Sequence, residues 1–263
     1  YGKTIWDTLS AIYCSEDETV EGVMMDISGI KDSLVELQRV NYELDNFVYQ
    51  ASHDLRSPLR SILGLINLLR LEKTESGKEH CLEMIEGSIK RLDQLVIDLL
   101  QISRDGRDNI SLEPVCLITE INNSLTNFCH AQDSDSVRII TKISQPVDLV
   151  SDLTRIRIVL NNLVSNAIKY RNPSSDQSYI LISARVTAEH AEISVQDNGQ
   201  GIPQSKLSHI FEMFVRATDS QQGSGLGLYI VKNVVEKLGG KVKVQSQVNT
   251  GSNFTVLIPN PAS

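Results

Sequence analysis

Four short stretches of this sequence combine residue types that suit one another chemically. The first is Ala51-Ser52-His53-Asp54-Leu55-Arg56-Ser57-Pro58. The carboxylate of Asp54 can hold one nitrogen of the His53 imidazole and raise the basicity of the other, as an orienting acid does in a triad. Arg56 offers a cation to an approaching anion. Pro58, inside an otherwise helical pattern, predicts a kink just beyond the histidine. The second stretch is Leu160-Asn161-Asn162-Leu163-Val164-Ser165-Asn166-Ala167-Ile168-Lys169-Tyr170. Asn162 and Asn166 are four apart and Lys169 follows three later, so all three share one helical face. Amide oxygens beside a lysine suit a hard cation and phosphates. The third, Asp197-Asn198-Gly199-Gln200-Gly201-Ile202, follows a strand pattern. It puts a carboxylate where it can accept from an exocyclic amine, with glycines that let the backbone approach a planar base. The fourth, Gly223-Ser224-Gly225-Leu226-Gly227, opens a helical pattern. Bare N–H groups at a helix N-terminus make a phosphate cradle.

Each stretch also has a plainer reading. On its heptad frame His53 falls at an f position, pointing to solvent, as a surface histidine would. Two asparagines can simply line a wet helix face, and Asp-Asn-Gly is an ordinary turn sequence. The glycine run is neither a Walker sequence nor the G-x-G-x-x-G of a dinucleotide-binding turn.

The elements that would position these groups follow from periodicity. Gly22–Ile27 reads as a last strand entering a helix. Leu34, Asn41, Val48 and Leu55 recur every seven residues, as do Ile30, Leu37, Leu44, Ala51 and Pro58, which makes an a/d seam. A polar Asn41 at an a position favours a fixed register and a dimer. After a break at Glu72–Gly77, a second stripe runs through Cys81, Ile85, Ser88, Leu92, Leu95, Leu99 and Ile102. The two helices predict an antiparallel hairpin, and two hairpins a four-helix bundle. Gly106 and Asp108-Asn109 end the second helix. Beyond it the pattern predicts helices at Val115–Phe128, Leu153–Tyr170 (N-capped by Asp152) and Leu226–Leu238. Strands are expected at Val137–Ile143, Tyr179–Val186, Ala191–Gln196, Lys241–Gln247 and Asn253–Ile258. Gly239-Gly240 closes the last helix, and Asn249-Thr250-Gly251 turns the last hairpin. Gln204–Gln222 reads as a mobile lid. The fold class expected is a mainly α helical hairpin followed by an α+β sandwich, with a boundary near residue 108.

Composition narrows the classes. The 263 residues carry 25 Lys+Arg against 33 Asp+Glu, a formal charge of −8, which makes a poor non-specific nucleic-acid binder. Apolar residues at 41% suffice for a core, and aromatics at 5% argue against a stacking platform. No run of about 18 apolar residues marks a membrane span. Cys14, Cys81, Cys116 and Cys129 have neither zinc nor disulfide spacing and read as reduced cytosolic thiols. Beginning at Tyr1 with no signal peptide, the chain is expected to be a cytoplasmic piece of a longer protein.

Taken in order, Asn162/Asn166, Asp197/Gly199/Gly201, Phe211/Phe214 and Gly223/Gly225/Gly227 resemble the N, G1, F and G2 boxes of sensor histidine kinases. Ser52-His53-Asp54-Leu55-Arg56-Ser57-Pro58-Leu59 resembles their H-box, of the HisKA dimerisation type. The resemblance spans about residues 30–260. It implies a dimeric phosphoacceptor bundle (29–108) and a Bergerat-type ATP-binding domain (109–263). Residues 22–38 are similar to the end of a PAS domain entering its signalling helix, making 1–28 a partial PAS tail.

By that resemblance His53 is phosphorylated from ATP, with Asp54 as its acid–base partner, and the phosphoryl group passes to an aspartate of a response regulator. Asn166, with Asn162 beside it, would hold Mg2+. Lys169 would touch phosphates, Tyr170 the adenine ring, Asp197 the adenine amine and Arg216 the γ-phosphate. Phe211, Phe214, Gly223, Gly225, Leu226 and Gly227 complete the nucleotide site. Four residues after the histidine stands Ser57, where many relatives carry the Thr or Asn that supports phosphatase activity. ATP hydrolases of the gyrase and heat-shock chaperone kind share the ATP fold, but they carry a glutamate where this chain has Asn162. A scaffold without catalysis is a third reading, which a nucleotide-binding assay separates.

Overall fold

The computed structural model describes residues 7–14, 19–105, 109–129, 137–172, 178–216 and 223–261. Its contacts divide the chain into two compact units, residues 1–57 and 58–263, with the division at Pro58.

In the first unit β1 (Asp7–Cys14) pairs antiparallel with β2 (Thr19–Asp26). The strand expected at Gly22–Ile27 is present, while its partner β1 is new. Asp26 Oδ1 accepts from the Ser28 N–H at 2.8 Å, which starts α1 (Ser28–Leu71) immediately after the strand. The helix runs on through Pro58, whose missing N–H costs it one rung. On a single chain the seam residues Ile30, Leu34, Leu37, Leu44 and Val48 stand 48–65% exposed.

In the second unit Thr74 caps α2 (Glu75–Asp105), its Oγ1 accepting from the Gly77 N–H at 3.1 Å. Glu72 Oε1 ties down the preceding link by accepting from the Lys73 and Thr74 N–H groups at 2.9 Å. The predicted stripe of α2 faces inward, with Cys81, Ser88 and Leu95 at most 5% exposed. Gly106 and Asp108 lie outside the described residues.

A small antiparallel pair, β3 (Glu113–Val115) and β5 (Leu149–Ser151), flanks the sandwich. Val115 therefore ends a strand, where the sequence pattern places the start of a helix. Gln145 holds the turn by accepting from the Leu117 N–H at 3.0 Å and donating to the Val115 carbonyl at 2.8 Å. The helix α3 starts only at Leu117 and runs to Cys129.

The main sheet contains β4 (Val137–Ser144), β6 (Ser178–Val186), β7 (His190–Asp197), β8 (Lys241–Gln247) and β9 (Gly251–Pro259), in the order β4-β6-β7-β9-β8. Within it β4 and β6 run parallel and the other pairs antiparallel. Period-two alternation gives the sheet one buried face. Ile180, Ile182, Ala184 and Val186 register opposite Asp197, Val195, Ile193 and Ala191, and Phe254, Val256 and Ile258 continue that face on β9. α4 (Leu153–Lys169) and α5 (Gly227–Lys237) pack on the sheet, and α3 packs on α4. α4 begins at the predicted cap, with Asp152 Oδ1 accepting from the Arg155 N–H at 3.0 Å. The Asp152 carboxylate also pairs with the buried Arg155 guanidinium and accepts from the Ser111 N–H at 3.1 Å. No helix among the described residues is long and apolar enough to cross a membrane.

Candidate functional site

His53 stands on α1 with its side chain 63% exposed, as its heptad position requires. The Asp54 side chain is only 10% exposed, and its Oδ1 lies 3.0 Å from His53 Nδ1. Gln50 Nε2 donates to the same oxygen at 3.2 Å, which fixes the carboxylate. In the neutral imidazole, the tautomer with the proton on Nδ1 suits this carboxylate, which can only accept, and it leaves the lone pair on Nε2. Ser57 lies one turn on and is exposed.

The second unit holds a cavity of about 550 Å³ between the helical layer and the end of the sheet. Asp197 lines it from the end of β7. Along that strand the inward positions are Ala191, Ile193, Val195 and then Asp197, so strand period alone turns this carboxylate into the core, at 9% exposure. Oδ1 accepts from the Gly199 N–H at 2.8 Å and more weakly from the Ser252 N–H at 3.3 Å. Burial pushes the carboxyl up, and these two donors oppose the rise. With Asp197, the walls include Ala167, Tyr170, Ile202, Ile210 and Phe254, a slot for a flat apolar body.

Polar and cationic groups line the cavity as well. Asn162, Asn166 and Lys169 all reach the cavity from α4, joined by Arg216. Burial, helped by the Arg216 charge, draws the Lys169 ammonium down to about 8. Its Nζ lies 4.9 Å from the centroid of the Tyr170 ring. The glycine-rich loop lines the cavity through Gly223, Ser224, Gly225 and Gly227, with Gly223 beside Lys169. At Gly223, with φ of 112°, any side chain would run into Lys169 Nζ. Gly201, with φ of 68°, is pressed against the backbone carbonyl of Gln247, so the chain's own packing demands this glycine. The close approach read from sequence as one to a base is, at Gly199 and Gly201, an approach to the carbonyls of Tyr170 and Gln247.

Phe211, Phe214 and Leu226 do not line the cavity. Phe214, with φ of 62°, packs its backbone under Gly225, and Leu226 is fully buried ahead of α5. Of the expected lid, residues 217–222 lie outside the described residues. Sequence reasoning misses the wall supplied by α2, which is Gln94, Asp98 and Gln101. Their i, i+4, i+7 spacing is a polar stripe beside the apolar one, and that is the available signal.

Comparison with known proteins agrees with this division of labour. Residues 43–107 match the model of the His Kinase A (phospho-acceptor) domain, and residues 151–262 match that of the histidine kinase-, DNA gyrase B- and HSP90-like ATPase. The chain belongs to the sensor histidine kinases.

Among curated kinases it is similar to the alginate biosynthesis sensor protein KinB of Pseudomonas aeruginosa, at 31% identity over 81% of this chain and 36% of that protein. It is similar also to the signal transduction histidine-protein kinase BarA of Escherichia coli, at 30% identity over 86% of this chain and 27% of the relative. The chain thus spans about a quarter to a third of the length of such relatives. Among solved structures, full-length ShkA in complex with AMPPNP superposes with a TM-score of 0.58 and 27% identity, covering 79% of this chain and 44% of that one. The histidine kinase AdeS of Acinetobacter baumannii shares the fold, with a TM-score of 0.62 at 23% identity, over 80% of this chain and 98% of its own. ThkA in complex with the response regulator TrrA does so with a TM-score of 0.68 at 20% identity, over 97% of this chain and 75% of its own. His53 lies in the phospho-acceptor match, whereas the Asp197 and Lys169 sides of the cavity lie in the ATPase match.

Proposed function

We propose that this chain binds ATP in the cavity, phosphorylates its own His53, and passes the phosphoryl group to an aspartate of a response-regulator receiver domain. The observation that carries this reading is the polarity of the cavity. Its lining combines a buried carboxylate among apolar walls with the cations Lys169 and Arg216 and a glycine-rich loop. Adenine fits the first, with its amine on Asp197 and Tyr170 beside the ring. The phosphates fit the second, with Lys169, Arg216 and the N–H groups leading into α5.

The donor set also suits Mg2+. Asn166 lines the phosphate side, with Asn162 one turn earlier, and amide oxygens are ligands that a hard cation accepts. When bound, such an ion would offset the charge that develops on the phosphoryl group during transfer.

In the transfer, the lone pair on His53 Nε2 attacks the γ-phosphorus. The bond from that phosphorus to the bridging oxygen breaks, and ADP leaves with the electrons. The Nδ1 proton is stabilised on, or passes to, Asp54. Arg216 and Lys169 offset the charge on the phosphoryl oxygens. Hydrolysis in the manner of gyrase-like relatives is disfavoured. Asn162 is an amide, and its Nδ2 is tied to the Ile158 carbonyl of its own helix at 2.8 Å, so it offers no base to a water.

The half-exposed apolar seam on α1 supports a homodimer closing a four-helix bundle, and the β1–β2 hairpin feeding α1 supports a PAS tail at residues 1–28. ShkA is a complex with AMPPNP and ThkA a complex with a response regulator, which is in keeping with the same two kinds of ligand here. A His53→Gln variant tests the assignment. It should bind ATP as the native chain does and incorporate no phosphate. Incorporation at the native rate would move the acceptor elsewhere.

A further inference from the structure

The cavity wall on α2 carries a charge that the kinase reading leaves unused. Asp98 is 6% exposed. Its Oδ2 accepts from the Ser224 hydroxyl at 2.6 Å, and its Oδ1 accepts from Gln94 Nε2 at 2.8 Å. Ser224 is the middle residue of Gly223-Ser224-Gly225. Its oxygen also accepts from the Leu226 N–H at 3.2 Å, at the entrance to α5. One hydroxyl therefore joins the loop that should cradle phosphates to a carboxylate on the helix following the histidine-bearing one. The charged group facing Asp98 from α4 is Lys169, with Arg216 acting on Lys169 in turn. Burial pushes the Asp98 carboxyl up, while Ser224, Gln94 and Lys169 favour its ionised form.

We propose that Asp98 is a self-inhibitory anion, occupying the phosphate side of the cavity beside Ser224 and Lys169 and releasing Ser224 when a triphosphate loads. The proposal rests on the ATP reading of the site. A triphosphate brings several negative charges to a partly desolvated space that already holds one, and like charges there repel strongly. In this arrangement the carboxylate engages the hydroxyl and attracts the ammonium that would serve the phosphates. Adenine, at the Asp197 end, meets no such competitor. Coupling of this kind is reciprocal, so nucleotide that displaces Asp98 also loosens α2 from the sandwich.

The test is calorimetric titration of the full chain with a non-hydrolysable ATP analogue plus magnesium, and separately with adenosine. Asp98→Ala should tighten the analogue about tenfold, the scale of one lost charge-assisted contact, and leave adenosine unchanged. Asp98→Asn keeps the shape, guards against misfolding of the alanine variant, and should shift the analogue in the same direction. Unchanged or weaker analogue binding in the variants would overturn the proposal, and so would equal tightening of adenosine, which would mean a general opening of the cavity. If the native chain binds neither ligand, the ATP reading itself fails. If it binds both and the variants match it, only the role of Asp98 fails.

Discussion

Burial draws the Lys169 ammonium down to about 8, the Arg216 guanidinium adds to the effect, and the Asp98 carboxylate opposes it. The unliganded lysine is thus half-protonated near that pH. Phosphates placed beside it stabilise the charged form, so ATP binding should take up a proton above about pH 8. Apparent affinity for ATP should fall about tenfold between about pH 7 and pH 9, following a single ionisation. Lys169→Met should flatten the profile. Tyr170, whose phenol burial pushes up, stays neutral across this window. Calorimetry in buffers of different ionisation enthalpy counts the proton, and a flat native profile would remove Lys169 from the phosphate site. The stability sign is the reverse of the usual paired case. The folded value lies below the ordinary 10.5, so the cost of burying the charge is fully present below about pH 8. It is relieved as pH rises toward the ordinary value, and the free fold gains stability there.

At the scale of elements, α4 carries the site and Asp152 anchors α4. Burial alone would push that carboxyl up. The N–H groups of Arg155 and Ser111 and the Arg155 guanidinium outweigh burial and hold it below the usual range. Asp152→Ala should cost about 3 kcal/mol, because it removes a cap and the carboxylate that pairs with a buried guanidinium. Chemical denaturation measures this, and a loss under about 1 kcal/mol would contradict it. The cap is legible from sequence because Asp152 immediately precedes a long periodic run. The strands β6, β7, β8 and β9 are legible for the same reason, since alternation over seven or more residues has a clear period. Val115 is misread because a three-residue strand has no period, and its partner strand, Leu149–Ser151, lies far along the chain beyond α3 and β4. Asp197 stands out as a site residue from its glycine neighbours, and the alternation of β7 turns it inward, while its partners Ile180 and Ser252 are seen only in register. Asp98 escapes notice because the polar stripe it belongs to says nothing of what α2 packs against.

For the whole molecule, the exposed α1 seam is the feature a single chain does not explain. Leu37 is 65% exposed and Leu44 54% exposed at successive d positions, an apolar row that a second copy would bury. Leu37→Asp places a charge that one chain tolerates in water and that a closed seam does not. Light scattering should give a dimer for the native chain and a monomer for the variant at micromolar concentration. A native monomer would remove the bundle from the account. Leu95, by contrast, is 5% exposed already within one chain, so a charge there would report on folding as well as on assembly.

Phosphoryl transfer to His53 is the claim on which these scales converge. The native chain, incubated with magnesium and ATP labelled on the γ-phosphate, is divided between acid and base before the bound label is counted. Phosphate on an imidazole nitrogen is lost in acid and kept in base, so the label should survive only the alkaline treatment and be absent from His53→Gln. Label that survives acid, or that persists in His53→Gln, would contradict the account.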